Sequence, residues 1–89
     1  MISAKYAKEI TNKSELVLKE STVKKALVTI EKHILRNAEL GYHSCNWFPS
    51  DDWWRFLKDI KKAVSEYGYS VNIVNEEGFE EESYLKIRW

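Results

Sequence analysis

Two stretches near the C-terminal end alternate apolar and polar residues around a glycine-containing turn, and they constrain the fold more than any other feature. Gly68-Tyr69-Ser70-Val71-Asn72-Ile73-Val74 reads as a helix stop followed by a strand, and Ser83-Tyr84-Leu85-Lys86-Ile87-Arg88-Trp89 reads as its partner. A side-chain period of two sets Tyr69, Val71 and Ile73 against Ser70, Asn72 and Val74. In the second stretch it sets Leu85, Ile87 and Trp89 against Tyr84, Lys86 and Arg88. The connection over 75–82 holds Gly78 and five glutamates, which predicts an exposed hairpin loop.

The preceding residues read mainly as helix. From Ser3 to about Lys13 the chain is weakly helical, with Ile2, Tyr6 and Ile10 four apart on one face. Asn12 to Ser14 reads as a break, and Leu16-Val17-Leu18 as the start of either a short second segment or an extended stretch. Ser21-Thr22 is the expected N-cap of the strongest helix, which runs to about Leu40. Val23, Leu27, Ile30, Ile34 and Ala38 form its expected buried stripe, widened by Val28 and Leu35. Gly41 supplies the left-handed stop.

Tyr42 to Phe48 reads as a strand closed by Pro49, with His43, Cys45 and Trp47 on one face. Ser50 is expected to cap the next helix, with Asp51 and Asp52 in its first turn, where the helix dipole favours acids. Trp53, Leu57, Ile60, Val64 and Tyr67 make its stripe, and Gly68 stops it. The expectation is an α+β fold ordered α-α-β-α-β-β, with two or three helices on one face of a small three-stranded sheet. Residues 1–89 form a single domain, with 1–20 an N-terminal helical extension and 21–89 the core. The amphipathic outer sheet face and the two open sheet edges predict a homo-oligomer, a tetramer or a dimer.

Composition narrows the function classes. Lys plus Arg equal Asp plus Glu at 14 each, so no global field draws the chain to double-stranded DNA or to a membrane. The charge is uneven: residues 1–40 carry eight Lys/Arg and five Asp/Glu, whereas 76–89 carry two Lys/Arg and five Glu. No stretch is long enough to span a bilayer, and no apolar run near Met1 suggests a signal peptide. A single cysteine, Cys45, forms no intramolecular disulfide and suits a reducing compartment.

Catalysis finds little material. Cys45 and His43 are neighbours on one strand face but lack an orienting acid. One cysteine and two histidines do not make a structural zinc site. Three glycines do not make a phosphate loop. The chain therefore reads as no enzyme, with no metal and no cofactor. Binding has more: four tryptophans crowd one strand–helix junction and the C-terminal strand. Trp53 and Trp54 lie about 100° apart on a helix, so one of them reaches the boundary, there to pack at the core edge, meet a subunit or stack on a planar ligand. Lys25, Lys32 and Arg36 share one side of the long helix, and Lys86 and Arg88 share a strand face. Arg88 suits stacking on a base and forking onto a phosphate. Tyr42, Trp53, Trp54, Lys25, Lys32, Arg36 and Arg88 are thus the candidate ligand-binding residues.

A long helix bearing Ile30, Ile34 and Ala38 and ending at Gly41, then a strand, a helix, Gly68-Tyr69-x-Val71 and finally Ile87-x-Trp89, resembles a group of small tailed-phage proteins over residues 20–89. Within that group the chain is similar to anti-CBASS sponge proteins of Bacillus-type phages. That resemblance implies an oligomer, a tetramer with pockets between subunits, that sequesters a cyclic dinucleotide immune signal such as 3'3'-cGAMP in the host cytoplasm without cleaving it. The alternatives are a phage protein that docks on and inhibits a host protein, and a minor structural protein.

Overall fold

The computed structural model describes residues 1–50, 52–75, 78, 79 and 82–89. Asp51 and four of the loop glutamates, Glu76, Glu77, Glu80 and Glu81, lie outside the described residues, so the expected place of Asp51 in a first helical turn does too.

The N-terminal half is one continuous helix, α1, from Ala4 to Glu39. The expected break at Asn12–Ser14 and the expected cap at Ser21-Thr22 are both corrected: the cap is Ser3, whose Oγ accepts from the Tyr6 N–H at 3.2 Å. No glycine or proline interrupts residues 4–39. The polar side chains at the expected break are absorbed by the helix itself, as where the Thr11 hydroxyl donates to the Ala7 carbonyl at 2.9 Å. The helix ends where Gly41 takes φ 87°. Its buried stripe is Thr22, Ala26, Ile30 and Ile34, with Val23 and Leu27 half-buried beside it. Ala38, Val28 and Leu35, expected in or beside that stripe, are exposed.

Strand β1 spans Ser44–Trp47, shorter than the expected 42–48. A 3-10 turn, Trp53–Phe56, then leads into helix α2, Leu57–Ser65. Neither has a side-chain cap bond, so the expected capping by Ser50 is not made. Phe56, Leu57, Ile60 and Val64 are buried, whereas Tyr67, expected in the stripe, is 75% exposed. Gly68, at φ 94°, turns the chain into strand β2, Ser70–Val74. After the loop comes strand β3, Tyr84–Arg88. Just after β2, the Gly78 N–H donates to Asn75 Oδ1 at 2.8 Å.

The architecture is α+β with a three-stranded antiparallel sheet in the order β1-β3-β2, so the last strand is central. One hydrophobic cluster joins the inward face of the sheet (Cys45, Trp47, Val71, Leu85 and Ile87) to the inner stripes of α1 and α2. Leu85, Ile87 and Ile60 have no exposed surface, and burial of such a side chain contributes roughly 1.5–3 kcal/mol. No described helix is long and apolar enough to cross a membrane.

The molecule measures 59 × 27 × 19 Å, and the long dimension is α1. At 1.5 Å per residue this helix is about 54 Å long. Lys19 of α1 forms an ion pair with Asp59 of α2 at 3.9 Å. Residues 1–18 project beyond the core and are exposed, except for half-buried Ala7.

Candidate ligand-binding sheet face

Both helices contribute to a core on one side of the sheet, which leaves the opposite side uncovered. The pairing register fixes what that side presents. Ser44, Arg88 and Ser70 form one row across the three strands, and Asn46, Lys86 and Asn72 form the next. Val74 and Tyr84 make the third, where the Phe48 ring, just beyond β1, lies 4.7 Å from the Tyr84 ring. Strands lie about 4.8 Å apart, and alternate residues of one strand about 6.8 Å apart. A patch of about 10 by 14 Å therefore carries two cations on the central strand, an amide on either side of Lys86, a hydroxyl on either side of Arg88, and an aromatic pair at one end.

No carboxylate occupies an outward strand position on this face among the described residues. Neither Lys86 nor Arg88 belongs to an ion pair among the described residues. Arg88 is exposed and Lys86 is half-buried. Chemically the surface can do three things: neutralise anionic oxygens, donate and accept at the Asn46 and Asn72 amides, and offer ring edges.

Of the candidates read from the sequence, only Arg88 lies on this face. Lys25, Lys32 and Arg36 are exposed on α1. Lys25 borders a shallow depression with Val17, Glu20, Ser21 and Lys24, and Arg36 lies in the last helical turn, where a cation is favoured. These three do not converge with Arg88, because α1 packs on the opposite side of the sheet. Tyr42 is exposed in the turn after α1. Trp53 and Trp54 are half-buried and pack on the hydrophobic cluster, and the Trp53 ring stacks on buried Trp47 at 6.2 Å. Both indoles are thus engaged in the core edge.

Sequence reasoning missed Asn46, Asn72, Phe48 and Tyr84 as site residues. Their signal was present in the alternation, but which residues of separate strands stand abreast depends on the register, which the alternation leaves open. Lys86 was paired with Arg88 but not selected.

A second concavity, also unforeseen, is an apolar groove of about 340 Å³ lined by Leu27, Val28, Ile30, Glu31, Ile34, Val64, Tyr67 and Tyr69. Among the described residues its one charged lining residue is Glu31, so it suits an apolar occupant and not a phosphate. Beside it, the Tyr69 ring meets the Trp89 ring edge-on at 6.3 Å, and the Trp89 N–H donates to the His43 carbonyl at 2.9 Å. The expected neighbours His43 and Cys45 diverge: His43 is exposed, and Cys45 is buried, with its thiol pKa raised by desolvation.

No protein-family model, curated protein or solved structure matches this chain.

Proposed function

We propose that this chain is a non-catalytic binding protein that captures a small, nucleobase-bearing anion on its open sheet face, and that the ligand is a cyclic dinucleotide such as 3'3'-cGAMP. The reading carries forward the likeness to phage sponge proteins, in which capture of an immune signal in the host cytoplasm is the whole activity. The observation that supports it is the row pattern on the sheet: Lys86 and Arg88 in the centre, Asn46 and Asn72 abreast of Lys86, and the Phe48–Tyr84 pair at the end. Two cations match a ligand with two phosphodiesters, and ionic hydrogen bonds of this kind contribute about 1.5–3 kcal/mol each. Asparagine amides match the paired donor and acceptor of an adenine edge. A net charge of zero disfavours long nucleic acids, whose affinity rests on many phosphate contacts.

A thermal-shift panel tests the proposal with 3'3'-cGAMP, other cyclic dinucleotides, a cyclic trinucleotide, a linear dinucleotide and inorganic phosphate. Ligand at 100 times its Kd adds about 2.7 kcal/mol of stability. A shift with a cyclic dinucleotide, lost in Arg88→Ala and Lys86→Ala, is the expected result. No shift with any member would overturn the reading and favour docking on a host protein.

A further inference from the structure

α1 carries a second stripe, which is exposed along the arm and meets the edge of the core only at Leu27 and Ile34. Starting at Tyr6 and ending at Ala38, the residues Tyr6, Ile10, Lys13, Val17, Glu20, Lys24, Leu27, Glu31, Ile34 and Ala38 follow an unbroken alternation of four and three. This is the spacing of a coiled-coil seam. The stripe begins on the projecting arm, where Tyr6 is 53%, Ile10 45% and Val17 64% exposed, and it ends along the apolar groove through Leu27, Glu31 and Ile34.

We propose that a second copy of this chain covers this stripe, antiparallel, with the two-fold axis passing the seam side of α1 at the level of Thr22, so that each arm lies in the groove of the other subunit. The sequence selects this arrangement. With the axis at Thr22, facing positions sum to about 44, and the seam maps onto itself. Ile10 then faces Ile34, Val17 faces Leu27 and Tyr6 faces Ala38. Both kinds of charged layer become opposite pairs: Lys13 against Glu31, and Glu20 against Lys24. None of these four is in an ion pair among the described residues of the single chain. Sliding one helix by a heptad in either direction sets Lys13 against Lys24, or Glu20 against Glu31. A parallel pair in register sets every charge against its own kind. Like charges facing across an interface are how such seams reject wrong registers.

The arm itself argues the same way. It is short, contains Thr11, Asn12 and Ser14, and has no core of its own to bury against. Isolated helices of this length are marginal in water, and most helical stability comes from packing an apolar face. The facing stretch spans about nine turns, enough for a substantial interface. The proposal concerns α1 and its groove and is independent of what the sheet face binds.

The test is sedimentation equilibrium of the full chain at about 50 µM, with far-UV circular dichroism alongside. The expected mass is twice 10.5 kDa. Lys13→Glu sets a glutamate against Glu31 at both ends of the dimer and is expected to raise the dissociation constant about tenfold or more. Glu31→Lys does the same, and the double variant Lys13→Glu/Glu31→Lys restores the dimer. In a parallel pair neither single reversal changes the balance of like charges, so unchanged association in both would overturn the antiparallel register. Ile10→Asp, on the exposed arm and clear of the core, is a second disruptor that leaves the core fold intact. A wild-type chain that sediments as a monomer would overturn the proposal outright.

Discussion

Arg88 and Trp47, on paired strands but opposite faces, show how the sheet divides between binding and folding. Trp47 is 2% exposed in the core, and Trp47→Ala is expected to cost about 3–5 kcal/mol in a denaturant titration. Arg88 faces outward, so Arg88→Ala is expected to leave the melting temperature unchanged while weakening ligand binding roughly 10- to 100-fold by calorimetry. Cys45 makes a separate prediction. Burial holds its thiol proton more tightly in the folded chain than in the unfolded one. As pH rises above the ordinary thiol range, the unfolded chain releases its proton first, so this contribution to stability is full below that range and declines above it. Denaturant midpoints measured against pH are expected to fall more steeply in wild type than in Cys45→Ala. A thiol reagent is expected to label Cys45 only after unfolding. At this scale the sequence was informative about which residues alternate inward and outward. It left the role of the tryptophans open, because an indole at a core edge and an indole on a ligand look alike until its neighbours are known.

Among the elements, the C-terminal strands and α2 were legible because glycines and a period of two mark them out. Gly68 illustrates the point: its φ of 94° turns α2 into β2, and a Cβ there would meet nothing within 4 Å. Gly68→Ala is therefore expected to cost only the backbone term, roughly 1 kcal/mol, seen as a melting temperature about 4–8 °C lower. The long helix was harder to read. Thr11, Asn12 and Ser14 are weak helix formers, yet without glycine or proline they lower helix propensity without ending it. Its apolar residues also fall into two stripes, Thr22-Ala26-Ile30-Ile34 inward and Tyr6-Ile10-Val17 outward, which converge at Leu27. Periodicity alone merges them, which is why Val28 and Leu35 were expected near the core and stand exposed. Ser14→Pro separates the two roles. It breaks the arm at a site remote from the core, so ellipticity is expected to fall and the dimer to dissociate while the core transition persists.

The whole molecule presents two surfaces with different chemistry. The outer side of α1 is apolar with matched charges and suits a copy of itself. The open sheet face is polar and cationic and suits a small anion. Helices on one side of a three-stranded sheet follow from the element pattern, so an uncovered face was foreseeable. Which side chains stand together on it depended on the β1-β3-β2 order, which places the cationic strand in the middle. The most direct test of the binding claim is an amide chemical-shift titration of the full chain with 3'3'-cGAMP. The account predicts saturable shifts at Ser44, Asn46, Ser70, Asn72, Lys86 and Arg88, with the groove residues Val64 and Tyr67 unmoved. No shifts, or shifts confined to the groove, would contradict it.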